Sequence, residues 1–174
     1  MKILTLGHPT LVQQAQMVRW PDARLAADIA SLREALADFR REHGFGRAIA
    51  APQLGISKRL IFVNLETFVG AIINPRISWR SDEMFSVWDD CLSVPDSLVK
   101  VRRHKSISVK FEDSHTCTQC WEYLTPDLSE LLQHEVDHLD GILMTARAID
   151  ADSIVPIAMR AELIESPSRS VRSL

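Results

Sequence analysis

The chain has 174 residues, 46% hydrophobic and 25% charged, with a formal net charge of −3. That length allows one domain with a real core but not two comfortable ones, and the slightly acidic balance gives no electrostatic reason to expect a nucleic-acid partner. No run approaches the ~20 apolar residues of a membrane span, the N-terminus lacks the apolar run of a signal peptide, and the 3 cysteines form no disulfide framework. A reduced, cytoplasmic protein without membrane contact is expected.

In chain order, the first clear element is the stretch PDARLAADIASLREALADFRREHG. It sets Leu25, Ile29, Leu32, Leu36 and Phe39 at three- and four-residue spacing, with Asp22 to cap its start and Gly44 to stop it. From Lys58 the texture changes to short β-branched and aromatic runs: RLIFVNL, AIINPRISW, SISVKFED and CWEYL. These read as strands, antiparallel because their connections are too short for helical crossovers. A second helix follows in PDLSELLQHEVDHLDG, with Thr125 as cap, Pro126 in first position and Gly141 as stop. The expected fold class is α+β, a mixed or antiparallel sheet packed on two main helices. Residues 1–165 would form one domain, and residues 166–174, polar and weakly patterned, a frayed tail.

The second helix carries the chemistry. At about 100° per residue, Leu128, Leu131, Leu132 and Leu139 define its buried stripe, and Glu135 falls about 20° from the centre of that stripe. His138 is at the stripe's edge and His134 a little beyond it, one turn away. Glu130, Gln133, Asp137 and Asp140 fall on the opposite side, where solvent is expected. A buried glutamate is costly unless paired, and a structural histidine alone would need no explanation. The pattern His-Glu-x-x-His supplies one: two imidazoles at i and i+4 hold a divalent ion, and the glutamate between them reaches the ion's water as general base.

Two histidines leave the coordination incomplete. Cys117 and Cys120 precede them at zinc-finger spacing. However, residues 111–146 contain no lysine or arginine and many acids, so a finger there would be repelled by phosphate. It would also fill every position and leave Glu135 without a role. Two thiols of a hairpin turn are the plainer reading of that pair. The other candidate is Cys91 in VWDDCLSVP. Its acidic neighbours disfavour a thiolate, unless a metal deprotonates it.

Three stretches in order, Ala50-Ala51-Pro52-Gln53, Asp89-Asp90-Cys91-Leu92-Ser93 and Gln133-His134-Glu135-Val136-Asp137-His138, resemble the motifs of the peptide deformylases. The opening ILTLGHPTLVQQAQMV is similar to that family's first strand, and VRRHKSISVKFED to the strand after its cysteine motif. The resemblance covers the chain to about Ala148. It implies one divalent metal ion per chain held by Cys91, His134 and His138, commonly ferrous iron, with zinc, nickel or cobalt able to replace it. It further implies attack of a metal-bound hydroxide on an N-terminal formyl group, with Glu135 as general base and acid, and with the Gln53 side chain and the Leu92 N–H stabilising the oxyanion. Substrates would be N-formylated nascent peptides near the ribosome, met by Gly46, Ala48, Asp90 and Arg103. An amidase for another N-formyl or N-acyl compound is the alternative. Three residues depart from the family pattern: Ala48 and Asp90 stand in place of glycines, and Asp89 in place of glutamate. Asp90 is expected to bring negative charge to the mouth of the site and to favour peptides with a basic second or third residue.

Overall fold

The structure, a computed structural model, describes residues 2–163; the expected tail lies outside them. Helix α1 spans Leu25–His43 and ends on Gly44, whose left-handed backbone (φ 78°) lets its N–H reach the Arg40 carbonyl at 2.9 Å. Asp22 stands just ahead of it, where its carboxylate accepts the Arg24 N–H at 2.9 Å and also pairs with Lys58, which it shares with Asp28. Arg24, the residue directly before the helix, has no capping side chain.

Strands β1 (Ala48–Ala50), β2 (Leu60–Asn64), β3 (Val69–Arg80), β4 (Met84–Asp89), β5 (Ser97–His104), β6 (Ile107–Glu112) and β7 (Thr118–Trp121) follow. Helix α2 spans Pro126–Leu139, and a short β8 (Ile154–Pro156) and α3 (Arg160–Leu163) close the described chain. The strands form two sheets where the sequence reading expected one, ordered β1-β2-β3-β6-β7 and β4-β5-β8. Every strand pair is antiparallel, as the short connections require. The expected opening strand is absent. Its residues run extended, with a 3₁₀ turn at Pro9–Val12, and make single bonds across loops: Leu4 N–H to the Gln53 carbonyl and Leu6 N–H to the Ser93 carbonyl, each 2.8 Å. A segment that bridges two loops has no neighbouring strand to ladder against.

β2 shows why both helices are needed. Its residues alternate, so Leu60 and Phe62 face the α1 side with Leu32, Leu36 and Phe39, while Ile61 and Val63 face α2 with Leu132, Val136 and Leu139. The large sheet is therefore covered on both faces. α2 in turn is covered on its far side by β5, where Gln133 holds both the N–H and the carbonyl of His104.

This second covering corrects the assignment of solvent to the back of α2. Glu130, Gln133 and Asp137 are buried there, and only Asp140 is exposed. Arginines from neighbouring elements meet the acids: Arg47 meets Glu130, and Arg103 and Arg147 meet Asp137. A single helix viewed alone cannot reveal partners supplied by a second sheet. Thr125 precedes α2 without a side-chain cap bond, and Gly141 follows it at φ 73°. A Cβ at Gly141 would stand 2.8 Å from the Val12 backbone. Gly141→Ala is therefore expected to destabilise the protein by about 1–3 kcal/mol, read as a lowered midpoint in urea unfolding; a neutral result would mean that the N-terminal segment yields without cost.

Candidate metal centre

Three segments meet at the end of α2. A 3₁₀ turn, Ala51–Leu54, presents Gln53; the loop after β4 presents Cys91; and α2 presents His134, Glu135 and His138. All five side chains are buried. The Cys91 Sγ lies 3.2 Å from His138 Nε2, which lies 3.2 Å from His134 Nε2, and the trio's ligand atoms all fall within 4.8 Å of one another. A tetrahedral ion with bonds of roughly 2.0–2.3 Å has ligand edges of about 3.3–3.6 Å, so the trio fits one metal ion. Cys117 and Cys120 are exposed in the β6–β7 hairpin and take no part in that group.

Buried partners fix the orientation of these ligands. His134 Nδ1 lies 3.1 Å from Asp89 Oδ2, which leaves Nε2 to face the trio. Burial alone would raise the Asp89 carboxyl, but the His134 hydrogen bond and the Arg103 charge hold it down at about 2. Burial would lower His134, but the bonds to Asp89 and Cys91 raise it well above its ordinary value. His138 is pushed well below by burial and by the neighbouring His134.

Glu135 sits beside the trio, with one carboxylate oxygen making no hydrogen bond among the described residues, and burial raises its pKa to about 7. The sequence had placed it on the apolar side, and it is buried there. Gln53 is held at both ends. Its Oε1 accepts from the Ala50 N–H at 2.9 Å, while Nε2 donates to Ser93 Oγ at 3.1 Å and lies 3.8 Å from the Cys91 sulfur. Gln53 thus bonds its own turn and brings its amide nitrogen to the loop of Cys91.

A cavity of about 20 Å³ opens beside Glu135 and His134, and Gly46, Ala48, Gln53, Asp90 and Leu92 line it as well. Arg103 does not line it. That guanidinium is buried, 2.7 Å from Asp89 and 2.5 Å from Asp137, so it braces His134 through Asp89. Asp90 is at the cavity but its charge is not bare: Arg160 of α3 reaches it at 3.2 Å and also lies over the Phe45 ring. The backbone of Asp90 is not left-handed, so the exchange of glycine for aspartate carries no strain there. Ala48 is buried at the start of β1.

Sequence reasoning missed Arg47, Trp88 and Glu130, which line the same cavity. A signal existed for Glu130, which stands one helical turn before His134 and only about 40° from it around the axis. Nothing in the sequence marked Arg47 as its partner.

The fold and site define a class: an α+β protein in which a loop cysteine joins the two histidines of a His-Glu-x-x-His helix in a buried trio able to hold one metal ion beside an acid. Residues 1–153 match the family model for polypeptide deformylase. The chain is 36% identical over 148 residues to a peptide deformylase of Treponema pallidum, covering 84% of this chain and 87% of that one. It is 33% identical over 154 residues to one from Dictyoglomus turgidum, covering 88% and 96%. The crystal structure of the Thermotoga maritima peptide deformylase superimposes with a TM-score of 0.77 at 32% identity, over 86% of this chain and 97% of that one. The chain belongs to the polypeptide deformylase family.

Removing one member of a buried ion pair strands the other, at a cost of about 3–5 kcal/mol. Arg103→Met is expected to lose stability on that scale in urea unfolding of the metal-free protein at pH 7; a loss near zero would show that Asp89 and Asp137 do not depend on it.

Proposed function

We infer that this chain is a metal-dependent hydrolase that removes the formyl group from N-formylated peptides, those of newly made proteins that begin with formylmethionine first among them. The observation that carries this reading is the convergence of Cys91, His134 and His138 within 4.8 Å, with Glu135 buried beside them, in a member of the polypeptide deformylase family. A bound divalent ion would supply Lewis acidity, making water acidic enough to yield a nucleophile near neutral pH. Ferrous iron is the native ion in this reading, with zinc, nickel and cobalt as substitutes; a mixed thiolate and imidazole donor set accommodates all of them.

Within that setting Glu135 accepts a proton from the attacking water and later delivers it to the departing amine nitrogen. The C–N bond of the formamide breaks, and formate and a free amino terminus leave. The Gln53 amide and the Leu92 N–H donate to the oxygen on which negative charge develops. Gly46, Ala48 and Asp90 form the walls against which the peptide lies, and Arg103 acts indirectly, by holding Asp89 against His134. The working place is the cytoplasm, on nascent chains near the ribosome, with no direct contact to nucleic acid or membrane. Among the described residues, no helix is long and apolar enough to cross a membrane.

The test is release of formate from a formyl-Met tripeptide by protein purified and loaded with metal in the absence of oxygen. Glu135→Gln keeps size and packing and is expected to retain one ion per chain while turnover falls by roughly 10²–10⁴-fold. Cys91→Ala is expected to lose most of its metal affinity. Loss of metal in Glu135→Gln, or full occupancy in Cys91→Ala, would contradict the assigned roles.

A further inference from the structure

The cavity beside Glu135 is too small for the reaction assigned to it. At about 20 Å³ it holds about one water molecule. A formamide brings a carbon, an oxygen, a nitrogen and the Cα behind it, and these cannot share that space with the attacking water. One wall therefore has to move before a substrate reaches Glu135.

Most of the lining is fixed. Leu131, His134 and Glu135 belong to buried turns of α2, and Gln53 is held at both ends. Trp88 and Asp89 are paired with Lys100 and Val99 of β5, and Ala48 with Val63 of β2. Arg47 differs. Its backbone is tied down, since its carbonyl accepts from the Asn64 N–H at 2.9 Å, but its long side chain is held only near the tip. There the guanidinium pairs with Glu130 and donates to Asp127 at 2.9 Å. The Glu130 side chain is 4% exposed, whereas that of Arg47 is 29% and that of Asp127 38% exposed.

Burial would lower the Arg47 guanidinium, but the charges of Glu130, Asp127 and Asp90 raise it further above its ordinary value, so it stays ionised. It has acids to meet on α2 and on the loop of Cys91 alike. The side chain can leave Glu130 and keep Asp127, at the solvent edge, without any backbone movement. That motion takes a charge away from a buried carboxylate, which is costly, so the closed arrangement is the populated one.

We propose that the Arg47–Glu130 ion pair is a gate over the catalytic cavity: it closes the cavity in the resting protein, and Arg47 swings outward to admit the formylated end of a substrate. The proposal rests on the deformylase reading above and leaves its substrate class unchanged. A protein whose binding-competent form is the minor one binds with an affinity reduced by that fraction. The gate therefore acts on KM and leaves the chemical step alone.

The experiment measures formate release from formyl-Met-Ala-Ser by the metal-loaded protein, wild type against an Arg47→Ala/Glu130→Leu variant. Removing both charges together avoids stranding either one, and alanine leaves the space open. The variant is expected to raise kcat/KM by about tenfold or more through KM, with kcat within about twofold of wild type. A pair that served only the fold would give a loss, not a gain. Calorimetric binding of the same peptide to metal-loaded Glu135→Gln protein, with and without the two further substitutions, should show the same tightening without turnover. If the double variant does not fold, Arg47→Lys takes its place. It keeps the charge but not the two-pronged hold on Glu130 and Asp127, and is expected to raise kcat/KM by about threefold or more. An unchanged or lowered kcat/KM, or a gain carried by kcat with no tighter binding, overturns the proposal while leaving the deformylase reading intact. Absence of formate from wild type and variant alike overturns that reading, and the proposal with it.

Discussion

A helix that carries two histidines, two glutamates, two aspartates and a glutamine can be covered on both faces only if its polar groups find partners from elsewhere in the chain. α2 meets this constraint, and most of the architecture serves it. The large sheet takes the apolar stripe, β5 brings Arg103 and the His104 backbone, and the segment before β1 brings Arg47. The end of β4 brings Asp89, and the loop after it brings Cys91. Glu135 and His138 are the exceptions: one Glu135 oxygen and the His138 Nδ1 make no hydrogen bond among the described residues, at the trio that can hold a metal ion. An isolated buried carboxylate is costly, and here that cost falls beside the trio.

The same constraint decides what could be read from the sequence. The helices were legible because their apolar positions recur at helical spacing, and Glu135 stood out because a helical wheel places it against the stripe. The pair His134 and His138 followed from spacing alone. Cys91 was a weak signal from its own neighbours and gained weight only from the resemblance of three motifs taken together. The partners of the back face were not legible. Asp137 and Glu130 resemble solvated acids until β5 and Arg47 are seen to cover them. β1, with three residues, is too short to carry a period, and the opening segment has strand-like composition but crosses loops where no edge is offered.

The departures from the family pattern have different consequences in three dimensions. Asp90 would have been a bare charge at the mouth, but Arg160 pairs with it, and α3 thereby ties the loop of Cys91 to Phe45. Ala48 is absorbed into a strand. Asp89, although shorter than glutamate, spans His134 and Arg103 because both are brought close to it. Family membership therefore accounts for a trio able to hold a metal ion, and Arg47, Arg103 and Arg160 balance the acids around it.

The account stands or falls on a single metal ion held by one sulfur and two imidazoles on α2. X-ray absorption at the metal edge of protein loaded with one equivalent of zinc or cobalt reads that directly. One sulfur and two imidazole nitrogens, with the remaining ligand a light atom, is the predicted shell, and it should lose its sulfur in Cys91→Ser but not in a Cys117→Ser/Cys120→Ser variant. Two sulfurs, or a sulfur lost with Cys117 and Cys120, would contradict it.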